Sequence, residues 1–378
     1  MELTNLAKSE IINKIYKMKE EGKEIISLAV GELEIPTPKE IIDIAYESMK
    51  NGQTHYASPK GLTNFRNVAL HKVKNKNKIN GSIDNIIFIS AKHSIFSAIM
   101  SIQKRGKEIL IPDPGYFYSE PIIMAGMKTV YYKHNDVFNP DLNDLESKIN
   151  ENTVAIILNS PSNPTGKIID ENILKKIYEI SKNNQIYVIS DEAYEDIIYE
   201  KESLSIGSLE REPEYVISIF SLSKSYSMTG WRAGYTVAPK EIINKISKII
   251  EHTITSYPPF IQEASSFAIQ NCGNFIKKIR LEMKTNRDFA LKRIKEIDAL
   301  TANEIEGTFY AFPKLNFNMD SLTISERLLE KYKVATLPGI SFGPSGEGRI
   351  RISFSRKIDD LEVGFDLLEK FLKKELLI

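Results

Sequence analysis

The chain has 378 residues, 42% of them hydrophobic and 26% charged, with only 19 Gly and 16 Pro. That supply of apolar side chain excludes a disordered or low-complexity chain, and the length predicts one large folded domain with a smaller one beside it. Fifty Lys plus Arg balance fifty Asp plus Glu, which excludes a global field for a nucleic-acid backbone or an anionic membrane surface.

Residues 1–20 (MELTNLAKSEIINKIYKMKE) are broken by charges every few positions and hold no apolar stretch suited to a signal peptide; a helix is predicted over roughly 6–21. The run Lys72–Lys78 alternates Lys with Asn and reads as a solvated loop or helix end. From about 86 to 240, short β-branched runs alternate with helical stretches, the pattern of strand-helix-strand units. The predicted strands are 86–90, 108–111, 128–132, 153–159, 186–190, 215–220 and 234–238. Between two of them, residues 170–183 put Ile173, Leu174, Ile177 and Ile180 on one helical face, with Asp170 as N-cap. Beyond about 275, amphipathic helices dominate, ending in 359–377, where Leu361, Phe365, Leu368 and Leu372 follow helical spacing. The expected fold is α/β: a mostly parallel seven-stranded sheet flanked by helices in a large domain (31–275), a smaller α+β domain (276–378), and an N-terminal segment (1–30) packing with the small domain. No apolar run approaches the roughly 20 residues of a membrane helix. The single cysteine, Cys272, excludes an internal disulfide and favours a reducing, cytoplasmic setting.

Three polar clusters directly follow predicted strands: Asn159 to Gly166 (NSPSNPTG), Asp191-Glu192, and Ser221-Leu222-Ser223-Lys224. In a parallel sheet they share one edge, and ligands of open α/β sheets bind outside the carboxyl ends of the strands. Each cluster alone is weak, since a Pro-rich turn, an Asp after a strand and a Ser-rich loop usually have plain structural roles. Neither G-x-x-x-x-G-K-[ST] nor G-x-G-x-x-G occurs, and the five histidines are scattered without a zinc motif. Pyridoxal 5′-phosphate asks for the inventory that remains: its aldehyde needs an amine, its ring nitrogen a carboxylate, its phosphate hydrogen-bond donors. Lys224 is the candidate amine and Asp191 the carboxylate. Ser221, Ser223 and Arg232 are candidate phosphate donors, Arg232 following a tight turn at Gly230.

The string Ser221-Leu-Ser-Lys-Ser-Tyr-Ser-Met-Thr-Gly-Trp-Arg-Ala-Gly-Tyr235 resembles the lysine signature of the class I/II aminotransferases, pyridoxal-phosphate enzymes of fold type I, most closely the bacterial and archaeal aspartate aminotransferase subgroup. Other segments are similar in order: Val30-Gly31-Glu32 with Pro36-Thr37-Pro38; Tyr56 with Gly61 and Arg66; Pro112-Asp-Pro-Gly-Tyr116; the Asn159–Gly166 turn; Gly307-Thr-Phe-Tyr310; and Gly348-Arg-Ile-Arg-Ile-Ser-Phe354. The resemblance implies an enzyme that moves the amino group of an amino acid to a 2-oxo acid in ping-pong fashion. By the same likeness, Lys224 bonds the cofactor aldehyde, Asp191 pairs with the ring nitrogen, Tyr194 and Asn163 reach its phenolic oxygen, and Tyr116 stacks on the ring. Arg351, helped by the backbone at Gly31 and by Asn163, grips the substrate α-carboxylate, and Tyr56 reaches the phosphate of a neighbouring subunit, so a homodimer is implied.

Plainer readings stand beside these. Tyr116 and Tyr194 suit ordinary half-buried aromatics, and Arg349, Arg351 and Ser353 suit a solvated strand face opposite Ile350, Ile352 and Phe354. The chain also departs from the family pattern. The usual glycine-rich phosphate turn is replaced by Ser90-Ala91-Lys92-His93, where backbone N–H groups of Ala91 and Lys92 at a helix start still suit phosphate. The wording at Leu33-Glu34-Ile35 is altered too. Lys92 matches a lysine that in the subgroup contacts a distal carboxylate, implying an acidic substrate; the alternative is a lysine facing solvent. A carbon–sulfur β-lyase on the same scaffold is the alternative activity. A non-catalytic regulatory relative would have lost Lys224 or Asp191 or gained a basic appendage, and neither holds.

Overall fold

Runs such as Ala155–Leu158 carry no polar alternation and are wholly buried, a pattern that demands helices on both faces of a sheet. The chain supplies them in the computed structural model, which describes residues 3–376. All seven predicted strands lie in one sheet: β1 (Ile86–Phe88), β2 (Glu108–Asp113), β3 (Lys128–Lys133), β4 (Thr153–Asn159), β5 (Tyr187–Asp191), β6 (Val216–Ser221) and β7 (Gly234–Val237). Their spatial order is β1-β7-β6-β5-β4-β2-β3. The strands from β6 across to β3 pair in parallel, and β7 runs antiparallel to both of its neighbours. Register puts Asn159 opposite Asp191 and Asp191 opposite Ile219, so β4, β5 and β6 end at one level.

Alternation divides the sheet's side chains between two cores. Ile157, Ile189 and Ile219 pack with the helix Ala91–Ser101 on one face. Ile156, Leu158 and Val188 pack with the helix Glu171–Asn183 on the other. In that second helix Leu174 and Ile177 are buried and Ile173 and Ile180 half-buried, as the spacing predicts. Asp170 occupies the N-cap position but makes no capping bond: its carboxylate accepts from Asn139 at 2.6 Å and pairs with Lys201, because a neighbouring ammonium outcompetes the helix N–H groups.

The Lys72–Lys78 run is a helix end, as one of its two readings has it, and it exposes Lys74, Asn75 and Lys78 but is not merely solvated. The helix Thr63–Lys72 continues as a π-helical turn, Val73–Asn77, and Lys72 and Lys76 reach the buried Glu195 and Asp196. Two carboxylates behind β5 need cations, and these lysines supply them.

Towards the C-terminus, a three-stranded antiparallel sheet orders Tyr310–Ala311, Ile350–Ser353 and Leu337–Pro338. Leu361, Phe365, Leu368 and Leu372 of the last helix, Ile358–Leu376, fill the core beside it, together with Phe309 and Phe354. The first helix, Leu3–Glu20, buries Ile11, Ile15 and Met18 against Phe312, Leu329 and Phe342. No described helix is long and apolar enough to cross a membrane.

Candidate active site

The three polar clusters converge on a cavity of about 210 Å³ outside the carboxyl ends of β4, β5 and β6. Lys224, Asp191, Tyr194, Asn163 and Tyr116 line it, with Ala91, Lys92, Ser221, Ser223 and Arg232 completing the wall. A larger surface cleft, about 470 Å³ between Glu200, Arg287 and Glu306, has charges already paired: Arg287 with Glu200, Glu306 with Lys167 and Lys201.

Lys224 leaves the end of β6 on a one-turn helix, Leu222–Ser225, and its ammonium donates to the Gly31 carbonyl at 2.5 Å. Burial pushes its pKa down to about 8; Glu32 opposes the shift, while Arg351 and Arg232 add to it. Asp191, the last residue of β5, is buried. Tyr118 donates to its carboxylate at 2.8 Å and the Ala193 N–H at 3.2 Å, and burial outweighs both, raising its pKa to about 6.

Asn163 is held by its backbone N–H, 2.7 Å from Asn159 Oδ1, and its amide faces Tyr194 Oη at 3.4 Å. Tyr194 Oη lies 3.0 Å from Tyr310 Oη. Arg351 is only 4% exposed, which rules out a solvated strand face. It donates to Asn163 Oδ1 at 3.0 Å and to the Ala29 carbonyl, lies 4.2 Å from the Tyr310 ring centre, and leaves a buried Nε without a partner. Gly31 passes so close to Tyr310 that an added Cβ would stand 1.7 Å from its hydroxyl.

At the opposite end the helix Ala91–Ser101 begins without a side-chain cap, since Ser90 places its hydroxyl 3.3 Å from Tyr257 Oη. No side chain caps its first N–H groups, and its first two residues, Ala91 and Lys92, line the cavity. Arg232 has a left-handed backbone (φ 57°), as does Ser227 (φ 53°), and its guanidinium donates to the Thr229 carbonyl. Gly230 lies in the expected tight turn, which the Trp231 N–H closes on the Met228 carbonyl at 3.2 Å, and the left-handed conformations flank it at Ser227 and Arg232. Tyr116 is half-buried, 5.6 Å from Tyr118 ring to ring. Tyr56 stands apart from the cavity, 85% exposed.

The profile of the family described as aminotransferase class I and II matches residues 23–366. The chain belongs to that family. The aspartate aminotransferase of Pyrococcus horikoshii is 33% identical over 377 residues, covering 98% of this chain and 96% of that one. The (5-formylfuran-3-yl)methyl phosphate transaminase of Methanocaldococcus jannaschii is 34% identical over 97% of this chain and 96% of its own. The solved aromatic aminotransferase of Pyrococcus horikoshii superposes with a TM-score of 0.90 at 32% identity, covering 96% of this chain and all (100%) of that one.

This aminotransferase is thus a pyridoxal-phosphate enzyme acting on an amino acid and a 2-oxo acid. The residues present fit the cofactor. A lysine of lowered basicity and a buried carboxylate share the cavity with a cluster of phosphate donors made by an uncapped helix start, two serines and an arginine. Nothing in the local sequence gives Tyr118 or Tyr310 a role, although Tyr118 stands two residues past Tyr116 and Tyr310 closes Gly307-Thr-Phe-Tyr. What hid them is that their partners, Asp191 and Tyr194, lie 73 and 116 residues away in the chain.

Proposed function

We propose that this aminotransferase takes an amino donor with a distal carboxylate, L-aspartate being the simplest, and hands the amino group to a 2-oxo acid by ping-pong turnover. Lys92 carries the reading: it lines the cavity and makes no ion pair among the described residues. Burial lowers the pKa of the nearby Lys8, and the charges of Lys92 and Arg351 add to this while Glu120 opposes it, so three cations stand near one another with one carboxylate among them. Aspartate, aromatic and furan-phosphate relatives share about one third identity with the chain, so identity does not rank donors and local charge does.

Pyridoxal phosphate, when bound, supplies an aldehyde to carry the amino group and a ring that accepts the electrons left at the α-carbon. Lys224 is the amine that would hold that aldehyde, and its Nζ is the group placed to take the α-proton. Its lowered pKa leaves a usable fraction of free amine near neutral pH. Asp191 would hold a proton on the ring nitrogen, Asn163 and Tyr194 would steady the phenolic oxygen, and Tyr116 would pack against the ring. Ser221, Ser223, Arg232 and the N–H groups at Ala91 and Lys92 would hold the phosphate. Arg351, with its unpartnered Nε, grips the α-carboxylate beside Gly31.

The site is completed by a second copy of the chain. Ile42, Tyr46 and Met49 form an exposed apolar row on the helix Lys39–Lys50, near in sequence to the exposed Tyr56, and a homodimer would cover them and bring Tyr56 to the partner's phosphate. Sedimentation of the holoenzyme is expected to give a dimer.

The deciding experiment mixes holoenzyme with single amino acids and follows bleaching of the visible band. Aspartate or glutamate is expected to bleach it fastest, and Lys92→Ala to raise the KM for acidic donors alone. Preference for tyrosine or phenylalanine would overturn the acidic reading. Pyruvate and a sulfur product from cystathionine without any oxo acid would overturn the transfer reading in favour of β-elimination.

A further inference from the structure

Lys224 stands on a helix of a single turn, Leu222–Ser225. So short a helix cannot hold its own geometry, because nucleation costs several fixed dihedrals for one hydrogen bond. Something outside it must fix where the lysine points. Within the turn, the Ser221 hydroxyl accepts from the Ser223 N–H at 3.2 Å, and Tyr226 N–H closes on the Leu222 carbonyl. From outside, the Leu222 N–H donates to the Ala233 carbonyl at 3.2 Å, and the side-chain anchor is Ser225, the residue after the lysine, which donates at 2.6 Å to the carboxylate of Asp196.

Asp196 is buried, and so is its neighbour Glu195. Each is clamped by the lysine-asparagine run: Lys76 on Asp196, Lys72 on Glu195, and Asn77 on Glu195 at 2.8 Å. Lys72 also lies 4.5 Å from the ring centre of Phe220, the residue before Ser221 on β6. Burial pushes the Asp196 pKa up, but Lys76 and Lys72 more than offset this and hold it below the ordinary value, so the acceptor for Ser225 stays ionised. The π-helical turn Val73–Asn77 is what brings Lys72, Lys76 and Asn77 to the same pair of carboxylates.

We propose that Lys76, Asp196 and Ser225 form a positioning relay that fixes the one-turn helix and so aims Lys224 into the cavity. None of the three lines the cavity; they act through the lysine. The inference rests on Lys224 being the residue that bonds the cofactor, and it does not depend on which amino acid is the donor.

The test uses apo-protein mixed with pyridoxal phosphate, recording the rate at which the visible band forms, with borohydride trapping and peptide mapping to identify the lysine. Ser225→Ala removes one atom and leaves the ion pairs in place. Lys76→Met removes the half-exposed ammonium. Each is expected to slow band formation about tenfold while trapping still falls on Lys224, since small misplacements of a reacting group cost rates of this order or more. If the three groups are one relay, the double variant is no slower than the slower single variant. Both single variants are expected to keep the wild-type circular dichroism. Wild-type rates in both, or slowing that multiplies in the double variant, would overturn the relay. A Ser225→Ala variant with a lower melting temperature but an unchanged band rate would also overturn it, leaving the hydroxyl a merely structural role. Trapping on another lysine in wild-type protein would instead remove the reading of Lys224, a separate failure.

Discussion

At Lys224, a carbonyl accepts the ammonium proton while two guanidinium groups and the dry surroundings disfavour the charge. The balance is shifted towards deprotonation. Competitive acetylation of apo-protein is expected to give Lys224 a reactivity midpoint near pH 8, against about 10.4 for an ordinary lysine. Because Arg351 contributes to the depression, Arg351→Met should move that midpoint upward while the site remains folded. The same variant loses the fork for the α-carboxylate, so its kcat/KM is expected to fall by about 10²-fold or more, the cost of a buried charge-assisted pair. Steady-state kinetics with and without Arg351 check the second effect, and mass spectrometry of acetylated peptides the first. A midpoint that stayed fixed in Arg351→Met would show that burial, Glu32 and Arg232 set the lysine's basicity without Arg351.

Elements differ in how much of themselves they write into local sequence. The seven strands were legible because parallel strands covered on both faces are continuous β-branched runs, and because Asn159, Asp191 and Ser221 interrupt those runs at the same edge. The helix Glu171–Asn183 was legible for the matching reason of period. What local pattern does not carry is the identity of distant partners. Asp170 looks like a cap until Lys201 is seen beside it, and the Lys72–Lys78 run looks solvated until Glu195 and Asp196 arrive from more than a hundred residues away. Gly230 lies in the expected turn, yet the left-handed conformations fall on Ser227 and Arg232, which residue type alone does not mark. The segment at 29–32 shows the same limit. Its Ala29 and Gly31 carbonyls serve Arg351 and Lys224, and the carboxylate of Glu32 accepts from Thr229. Gly31 is required there by contact with Tyr310, not by its own φ. Gly31→Ala is expected to destabilise the protein by about 1–3 kcal/mol, the usual cost of overpacking. It should also push the Tyr310 hydroxyl off Tyr194. Tyr310→Phe in the Gly31→Ala background removes the oxygen that stands 1.7 Å from the new methyl, so part of the loss should return; thermal unfolding of the single and double variants measures it.

The pH response of the whole molecule follows from which groups bind protons differently in the folded and unfolded chain. Below about pH 6.5 the contributions oppose each other. Buried His134, held down to about 4, makes the unfolded chain bind more protons, while Asp191, raised to about 6, makes the folded chain bind more. Above about pH 8, Lys224 enters with the sign of a lowered lysine, and the unfolded chain again binds the extra proton. Between those limits Glu192 dominates. It is fully enclosed behind β5, its Oε1 accepting from Ser190 at 3.0 Å and Ser205 at 2.8 Å; burial, then repulsion from Glu195, raises its pKa to about 8. From the ordinary 4.5 up to about 8 the folded chain therefore holds a proton that the unfolded chain has lost, and stability must fall as pH rises through that window. One such proton is worth roughly 1 kcal/mol per pH unit. Urea unfolding of the apo-protein is accordingly expected to lose stability from pH 6.5 to 8 and to recover, or level off, beyond it. Glu192→Gln keeps the oxygen that both serines reach and has no proton to lose, so its stability should be flat across the same interval. A wild-type slope that survived unchanged in Glu192→Gln would mean that Glu192 is ionised where it lies, with Lys72 as the counter-charge that makes this possible.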